Sequence, residues 1–363
     1  MAPFPQTLVV QAGCRIDWCG GGFDLWPIGH LYPGCSTLNM NIGLPAKVTL
    51  EPHPQAKWVI LKPGGKAEVW DPNTQEFQDA YPLLYEIARS VLENAPVPQW
   101  KITTACISPP GSGLGGSSAL GIALTHALTL WSQHHGIPHT PIHGETALVN
   151  FVQNIEATLL RQPAGCQDHW AAVRGGINLI TYPPNGPQVT TKPLSSALLT
   201  ELRKVLLLHS GKQRLSGVNN WSIYKRTMDK DPQVCKALTE LAGLGKKFQQ
   251  LFHQEKWAEI LALSKQEWDI RKGLSEELET TETQDIHRLC QNLDPSAWTR
   301  VCGAGGGGAV LVIAQEDKHP EILKAAKLKG YQALPYSLEG QPLYDLKLRD
   351  SSVPPVAHPA LHL

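Results

Sequence analysis

A glycine-rich stretch between a strand pattern and a helix pattern constrains the fold of this chain more than any other segment. Residues 109–119 read PPGSGLGGSSA; a β-rich run ends just before them at Ile107, and an apolar run with helical spacing follows. Successive glycines let backbone N–H groups converge on an anion with no Cβ atoms in the way. The helix N-terminus adds unpaired donors, and Ser117 and Ser118 add hydroxyls. The stretch predicts a phosphate-binding loop; a plain turn with serine caps is the alternative.

This loop departs from the two best-known nucleotide motifs. No Lys follows its last glycine, as a Walker A loop requires. The pattern G-x-G-x-x-G is satisfied from Gly111 to Gly116, but Pro109 and Pro110 stand where a dinucleotide fingerprint needs a tight strand-to-helix turn. The acidic residue that the fingerprint places about 20 positions later is absent from residues 135–139. A dinucleotide-dependent oxidoreductase is therefore the weaker interpretation.

Two further glycine segments lie near the two ends of the chain. Residues 15–25 read RIDWCGGGFDL, which places a cation before a glycine bend and an acid after it. Residues 303–308 read GAGGGG and stand immediately before a strand pattern. A glycine run this dense weakens a strand and offers no side chain to pack. Its use is therefore close approach by another backbone or by a ligand.

Composition and charge narrow the class of protein. Of 363 residues, 32 are Lys or Arg and 32 are Asp or Glu, so the chain lacks the basic field of a nucleic-acid protein. No apolar run reaches the roughly 18 residues of a membrane span, and the first residues lack the basic region of a signal peptide. Eight cysteines are scattered with no C-x-x-C, which is typical of reduced thiols. We therefore expect a cytoplasmic protein that binds neither nucleic acid nor membrane, as a monomer or homodimer.

Hydrophobic periodicity predicts a mixed α+β fold. Strand patterns cover residues 7–11, 46–50, 58–61, 101–107, 177–182, 204–209, 309–313 and 331–336. Helix patterns cover residues 77–93, a long apolar segment from about 119, 147–160, several pieces between 217 and 293, and 320–329. The length allows two domains at a prior of roughly 150 residues each. We predict an N-terminal domain over residues 1–200 and a C-terminal domain over residues 201–363.

The three glycine segments resemble the motifs of the GHMP kinase superfamily, and they follow the family's order over both halves of the chain. The opening RIDWCGGGFDL, the AGCQD of residues 164–168 and the glycines of residues 175–176 are similar to the heptose 7-phosphate kinases and, more loosely, to the fucokinases. Phe23 stands where that subgroup usually has Thr, which concerns the substrate rather than the reaction. The resemblance implies an N-terminal domain like ribosomal protein S5 domain 2 and a ferredoxin-like C-terminal domain, with ATP in the cleft between them.

The resemblance also implies a role for individual residues. The loop would hold the ATP phosphates through Pro110, Gly111, Ser112, Gly113, Leu114, Gly115, Gly116, Ser117 and Ser118. Mg²⁺ would be held by Ser117 and Glu156. Asp168 would be the acid beside the substrate hydroxyl, with Arg15 as its cationic neighbour. The sugar would contact Asp24, Gly22, Arg214, Gly305 and Gly306.

Phosphoryl transfer has a physical need for these residue types. It asks the protein mainly for positioning and for neutralisation of charge on the transferred group. An Arg beside Asp168 would keep that carboxyl ionised, so that it can orient the acceptor hydroxyl and receive its proton. Because the transition state is loose, Asp168 as a true base and Asp168 as an orienting group both stay open.

Each candidate also has a purely structural interpretation. Glu156 lies near the end of its helix pattern, where an acid is usually solvated. Asp168 could cap a short helix, and Arg15 could be a surface charge at a strand end. Asp24 could cap a turn, and Arg214 could pair with an acid instead of binding a substrate phosphate.

A histidine cluster between two helix patterns suggests a metal, but weakly. His134, His135, His139 and His143 lie close together in sequence, yet a glycine and two prolines within residues 136–141 indicate a loop. Neither Cys nor a carboxylate shares their spacing, so a zinc site is disfavoured.

The sequence therefore predicts an ATP- and Mg²⁺-dependent kinase of a sugar hydroxyl. The leading acceptor is the anomeric oxygen of a heptose 7-phosphate or a related sugar. Fucokinase, galactokinase and glucuronokinase activities are alternatives within the superfamily. A non-catalytic protein that binds a nucleotide or a sugar is the alternative outside the enzymes.

Overall fold

The computed structural model describes residues 7–212, 218–338 and 344–345. The strands are β1 (Leu8–Cys19), β2 (Ser36–Pro52), β3 (Lys57–Leu61), β4 (Ala67–Trp70), β5 (Trp100–Cys106), β6 (Ile177–Thr181), β7 (Gln188–Lys192), β8 (Val205–His209), β9 (Trp298–Val301), β10 (Ala309–Ile313), β11 (Gln332–Ala333) and β12 (Tyr344–Asp345). The helices are α1 (Ile28–Leu31), α2 (Gln75–Ala80), α3 (Pro82–Val91), α4 (Gly116–His135), α5 (Gly144–Leu160), α6 (Gln167–Arg174), α7 (Ser196–Leu202), α8 (Val218–Met228), α9 (Pro232–His253), α10 (Trp257–Arg271), α11 (Thr281–Leu293) and α12 (His319–Leu328).

The larger sheet joins eight of the described strands and carries the glycine-rich loop at one end. Its order is β12-β1-β2-β5-β3-β4, with β6 added to β2 and β7 to β6. Strands β1 and β2 are antiparallel, whereas β3 and β5 are parallel. Helix α4 packs across β1 and β2. The loop before α4 is tied to the sheet where Arg15 N donates to the carbonyl of Leu114 at 2.9 Å.

Strands β1 and β2 are longer than the patterns at residues 7–11 and 46–50 indicate. From residue 12 onward, every position of β1 is buried. A strand that is covered on both faces loses the alternation of apolar and polar residues by which strands are recognised. Residues 15–19, which belong to the second glycine segment, are therefore strand, and the glycine bend begins only after them.

The helix predicted over residues 77–93 is two helices. Helix α2 ends at Ala80, and α3 begins at Pro82. Proline disfavours a helical conformation at the preceding residue, and Tyr81 accordingly has φ −135° and ψ 58°. The missing N–H of Pro82 is harmless at the first position of α3.

Helices α4 and α5 pack closely enough to require a glycine. A Cβ on Gly121 would lie 2.6 Å from Cγ1 of Val152 and 3.3 Å from Cδ1 of Ile87. The apolar run from about residue 119 thus forms a helix that is buried along most of its length. None of the helices in the described part of the chain is long and apolar enough to span a bilayer.

The smaller sheet has the order β11-β8-β10-β9 and is antiparallel in each described pair. Counted along the chain as strands one to four, this order is 4-1-3-2. Leu206 and Leu208 face a cluster that includes Ile286 of α11. Leu207 faces the main core, which extends into the larger sheet. The smaller sheet therefore buries both faces, in keeping with its run of apolar residues.

The helical region between the sheets returns to the first strands. In α9, a Cβ on Gly245 would lie 2.7 Å from the carbonyl oxygen of Gly34. In α10, the Ser264 hydroxyl donates to the carbonyl of Trp18 at 2.7 Å. The second half of the chain is thereby brought against the strand that carries Arg15.

Candidate active site

The glycine-rich loop leads from β5 into α4, as its position between two patterns predicts. Gly111, Gly113 and Gly115 have φ of 70°, 81° and 74°, a region that favours glycine. A Cβ on Gly115 would also lie 3.0 Å from Cγ of Asp168. Helix α4 has no side-chain cap on its N-terminus, so the orphan amides of its first turn suit an anion. The backbone conformation of the loop and the amides at the start of α4 fit a phosphate cradle.

Arg15 of β1 joins this loop to Asp168 of α6. Its Nε and Nη2 lie 2.8 and 2.6 Å from Oδ1 of Asp168, and its Nη1 donates to the carbonyl of Gly113 at 2.5 Å. Burial opposes the charge of Arg15, but the carboxylates of Asp168 and Asp17 outweigh burial and raise its pKa. Arg15 is 2% exposed, which excludes a surface charge.

Asp168 is the accessible member of this pair. Its side chain is 23% exposed, against 3% for that of Arg15. It lies in the first turn of α6, whose N-cap residue is Cys166, one position before Gln167. The capping interpretation of Asp168 is therefore wrong. An acid that faces outward from a buried cation is suited to contact a bound molecule.

Glu156 lies on the other side of the loop and is largely buried. The Ser118 hydroxyl is 3.1 and 3.0 Å from its two carboxylate oxygens, and Nε2 of His169 is 3.1 Å from Oε2. Burial favours the neutral acid, but His169 and the hydroxyls of Ser118 and Ser117 hold the pKa of Glu156 below its usual range. A solvated acid at a helix end is therefore the wrong interpretation.

The oxygen atoms around Glu156 fit Mg²⁺ bound together with a nucleotide. Mg²⁺ prefers oxygen ligands and usually keeps several waters beside one or two carboxylates and substrate phosphates. Glu156 provides one ionised carboxylate, and Ser117 provides an exposed hydroxyl at the start of α4. Among the residues that the structure describes, no group of three or more His, Cys, Asp or Glu side chains could hold a metal ion. His134, His135, His139 and His143 therefore do not form such a group.

Asp24 joins the second glycine segment to α6. Gly22 N donates to its Oδ1 at 3.0 Å, and Gln167 N donates to its Oδ2 at 3.2 Å. A Cβ on Gly165 would lie 2.0 Å from Oδ2, so the approach of the two segments requires glycine there. Burial, followed by the charge of Asp168, raises the pKa of Asp24. Asp24 therefore caps its turn, as its structural interpretation predicts, and it also caps the start of α6.

The third glycine segment touches the first. A Cβ on Gly308 would lie 2.5 Å from the carbonyl oxygen of Ser112. Gly305 and Gly306 instead pack on Leu278, whose carbonyl accepts a hydrogen bond from Gly306 N at 3.0 Å. The predicted approach by another backbone is confirmed. Contact between the sugar and Gly305 or Gly306 stays a prediction.

The segment after β8 is described as far as Lys212. The Lys212 carbonyl accepts a hydrogen bond from Gly308 N at 3.0 Å, and its ammonium lies 3.6 Å from Glu282. Arg214, a predicted contact of the sugar, lies outside the described residues, so its role stays a prediction.

Several charged residues behind the glycine segments were not predicted. Asp17, Glu267, Arg271 and Arg300 are each at most 3% exposed and interact with one another. Their signal in the sequence is a charge inside an apolar strand pattern, as in RIDW and WTRV, or an acid and a base four positions apart. His169 has no such signal, because one histidine beside an aspartate is ordinary.

Comparison with known proteins relates this geometry to a family. Residues 82–176 match the sequence model of the GHMP kinases N terminal domain. The chain contains a GHMP kinase N-terminal domain. The matched range includes the glycine-rich loop of residues 109–119, Glu156 and Asp168, and the resemblance predicted from the glycine segments is confirmed.

Two curated relatives match most of this chain. D-glycero-alpha-D-manno-heptose 7-phosphate kinase of Campylobacter jejuni is 24% identical over 92% of this chain and 98% of its own. The bifunctional fucokinase/GDP-fucose pyrophosphorylase of Arabidopsis thaliana is 24% identical over 88% of this chain. The match covers only 31% of that longer protein.

Solved structures show the same fold. A putative sugar kinase from Campylobacter jejuni has a TM-score of 0.68 at 20% identity, over 93% of this chain and 98% of its own. Streptococcus pneumoniae phosphomevalonate kinase, solved with phosphomevalonate and AMPPNP, has a TM-score of 0.60 at 11% identity, over 91% and 99%. The mixed α/β fold of the GHMP kinases is thus confirmed. The heptose and sugar kinases among these proteins are phosphotransferases with an alcohol acceptor, and the predicted enzyme class is confirmed.

Proposed function

We propose that this protein is an ATP- and Mg²⁺-dependent kinase that phosphorylates the anomeric oxygen of a heptose 7-phosphate or a related sugar. The observation that carries the proposal is the position of Arg15, which binds both the carbonyl of Gly113 and the carboxylate of Asp168. This contact holds an acid beside a phosphate cradle. Phosphoryl transfer to a hydroxyl requires that arrangement. The heptose 7-phosphate kinase relative supports the choice of acceptor.

The loop from Pro110 to Ser118 is proposed to bind the ATP phosphates. Its glycines have left-handed φ angles that allow successive backbone amides to converge on an anion, and the first turn of α4 adds further amides and the helix dipole. Backbone donors carry no counter-charge, so they attract phosphate oxygens without an opposing anion. Because the loop is fixed by Arg15 and by the third glycine segment, the donors are already oriented before the nucleotide binds.

Asp168 is proposed to orient the acceptor hydroxyl and to receive its proton as the oxygen attacks the γ-phosphorus. The paired Arg15 compensates the carboxylate and limits its movement. As the new O–P bond forms and the bond to the leaving ADP oxygen breaks, the proton moves from the sugar hydroxyl to Asp168. With a loose transition state, orientation contributes more than removal of the proton.

Glu156 and Ser117 are proposed to hold Mg²⁺. When bound, Mg²⁺ neutralises charge on the β- and γ-phosphates. Ser118 and His169 hold the Glu156 carboxylate at the start of α4. Second-shell partners of this kind orient a ligand before the metal binds.

The sugar is proposed to lie between the second glycine segment and α6. Asp24 is fixed there by two amides and is available to sugar hydroxyls through its remaining lone pairs. Gly22, Gly305, Gly306 and Arg214 complete the proposed contacts. A Cβ on Gly22 would meet nothing within 4 Å, so space beside this bend is open.

We also propose that the chain divides into two domains, residues 1–200 and 201–363, with the active site between them. The boundary falls in the last turn of α7, just before β8, the first strand of the smaller sheet. The β-α-β-β-α-β arrangement of that sheet, with its 4-1-3-2 order, is typical of ferredoxin-like domains and supports the predicted C-terminal domain. The larger sheet would then be the core of the S5-like N-terminal domain.

The identity of the sugar separates this proposal from its alternatives. Fucose, galactose and glucuronic acid lack the phosphate of a heptose 7-phosphate. A kinase of phosphosugars needs a cation for that phosphate, and Arg214 is the predicted one. A non-catalytic binding protein is disfavoured, because Arg15, Glu156 and Asp168 surround the loop in one arrangement.

The test is ADP release with Mg·ATP over a panel of heptose 7-phosphates, aldoses, deoxysugars and uronic acids. We expect activity with one acceptor and a loss of roughly 100- to 10,000-fold in Asp168→Asn, the range of general acid–base contributions. Asp285→Asn, at an exposed pair with Lys329, is the matched control and should keep full activity. Nucleotide binding without turnover on any acceptor would favour a binding protein. Absence of nucleotide binding would overturn the proposal.

A further inference from the structure

Arg300 lies between two acids at the centre of the molecule. Its Nη2 is 2.9 Å from Oδ2 of Asp17, and its Nη1 donates to Oε2 of Glu267. Arg300 and Asp17 are fully buried, and Glu267 is 1% exposed. The three residues come from β9, β1 and α10, so this ion-pair group exists only because the smaller sheet and the helical region meet the larger sheet.

The second oxygen of each acid binds a different glycine segment. Oδ1 of Asp17 accepts a hydrogen bond from Gly303 N at 2.9 Å, at the start of the third segment. Oε1 of Glu267 accepts one from Gly20 N at 2.8 Å, in the second segment. Each carboxylate therefore holds Arg300 with one oxygen and a glycine amide with the other.

Arg271 joins the same two glycine segments through their carbonyls. Its Nη1 donates to the carbonyl of Gly21 at 2.5 Å, and its Nη2 donates to that of Gly303 at 3.2 Å. A Cβ on Gly21 would lie 2.3 Å from Nη1, so the contact leaves no room for a side chain. Its charge lies 4.0 Å from Glu267, one turn earlier on α10.

The group also reaches the phosphate loop. Oδ1 of Asp17 is 3.7 Å from Nη1 of Arg15, the same nitrogen that donates to the carbonyl of Gly113. Asp17, Glu267, Arg271 and Arg300 thus contact the second and third segments directly and the first through Arg15. We call these four residues the buried charge group.

Stability alone does not account for such a group. Buried ion pairs lose hydration that their attraction only partly restores, and apolar residues of similar volume are often as stable or more so. Directed hydrogen bonds, unlike apolar packing, determine the orientation of the backbone that they bind. All three segments bound by this group belong to the proposed active site.

We propose that the buried charge group sets the relative positions of the three glycine segments, with Arg300 and Asp17 as positioning residues that act through Arg15 and Gly303. The inference rests on the proposed function for its kinetic consequence. Its structural consequence, that the Gly20 and Gly303 amides depend on Arg300, does not require any activity.

The first experiment is a double-mutant cycle with Asp17→Asn and Arg300→Gln. Each single variant removes one charge of the Asp17–Arg300 pair and unbalances the buried charge group, and displacement of the loops by about 1 Å should lower kcat by about 100-fold. The kcat of the double variant should be no more than about threefold below that of the less active single variant, because the effects of substitutions at interacting residues are not additive. KM for Mg·ATP should change much less than kcat, since the loop itself is intact. A loss of kcat in the double variant equal to the product of the two single-variant losses would overturn the proposal.

The second experiment measures hydrogen exchange by mass spectrometry in wild type and Arg300→Gln, without nucleotide. Exchange should increase about tenfold or more in the peptides that contain Gly20 and Gly303. The control is Ile286→Ala, which removes a buried side chain from the opposite face of the smaller sheet. Each variant is measured at the same number of degrees below its own Tm. The control should keep its kcat and leave both peptides protected. Unchanged exchange in Arg300→Gln, or equal exchange in the control, would overturn the proposal. An inactive wild type with the expected exchange pattern would instead overturn only the proposed kinase function.

Discussion

At each end of α4 stands a glycine in the left-handed conformation, but the surroundings of the two glycines differ. Gly115 before the helix has φ 74° and ψ 25°, and Gly136 after it has φ 65° and ψ 26°. At the C-terminal end, the amides of Gly136 and Ile137 donate to carbonyls of the last turn, which is the usual way to close a helix. At the N-terminal end no side chain caps the helix.

The difference lies in what surrounds each glycine. A Cβ on Gly115 would contact Asp168, whereas a Cβ on Gly136 would have nothing within 4 Å. Arg15 and Glu156 lie near the first end, and the exposed His134 and His135 lie near the second. A left-handed glycine therefore indicates a turn, and only the neighbouring charges separate a candidate binding site from a helix stop.

The largest expected effect comes from substituting the two glycines in parallel. Gly115→Ala adds a Cβ against Asp168 and should lower kcat/KM by about 100-fold or more, as displacement of a catalytic group does. Gly136→Ala should leave kcat/KM unchanged, although each variant should lose about 1–2 kcal/mol of unfolding free energy through left-handed strain. Steady-state kinetics and urea denaturation check both values. Equal activity losses would show that the two ends do not differ in function.

Two carboxylates of α5 offer a second comparison, between a residue of the candidate site and one outside it. Glu156→Gln removes the proposed Mg²⁺ ligand and should raise the Mg²⁺ concentration for half-maximal activity by more than about tenfold. Glu145→Gln, at the start of α5, removes only an exposed pair with Arg174 and should leave the Mg²⁺ dependence unchanged. Titration of activity with Mg²⁺ at constant free ATP measures both. A Glu156→Gln variant with the wild-type Mg²⁺ dependence would remove Glu156 from the metal site.

Between the ends, Gly121 is expected to affect stability alone. Alanine there gains helix propensity, but its Cβ would lie 2.6 Å from Val152. Overpacking of this kind costs about 1–3 kcal/mol, so the net loss of unfolding free energy should be about 1 kcal/mol. Urea denaturation should show the loss, and kcat should be retained. A more stable Gly121→Ala would mean that α4 and α5 separate without cost.

The smallest expected effect lies at the C-terminal end of α4, where His134 and His135 are located. Partial loss of hydration by the largely exposed ring, followed by the charge of His134, lowers the pKa of His135. A lowered pKa means that the unfolded chain binds the proton more readily, so His135 costs stability as the pH falls below about 6.5. Because the side chain is exposed, His135→Gln should reduce the loss of unfolding free energy between pH 7.5 and 5.5 by less than about 0.5 kcal/mol. Urea denaturation at several pH values checks this. A variant that loses more stability than wild type would show that the sign is wrong.

Local patterns were enough to predict the strand–loop–helix unit around residues 109–119 and most buried elements. They were not enough where burial is complete on both sides, as in β1 beyond Gln11, or where a short strand such as β9 contains a charge. Arg300 breaks the apolar run of that strand, and its two acids lie 33 and 283 positions away. Residue patterns within a window of about 18 positions do not reveal such partners.

The sequence by itself determined that a glycine-rich loop precedes a buried helix, because glycine conformations and helix periodicity are local properties. It also identified Arg15, Glu156, Asp24 and Asp168 as candidates through their resemblance to family motifs. Only the tertiary structure decided that Arg15 is buried between Asp168 and the loop, and that Asp17, Glu267, Arg271 and Arg300 connect the three glycine segments. The physical reason is that burial and charge pairing depend on which distant segments pack together, and that is a property of the whole fold.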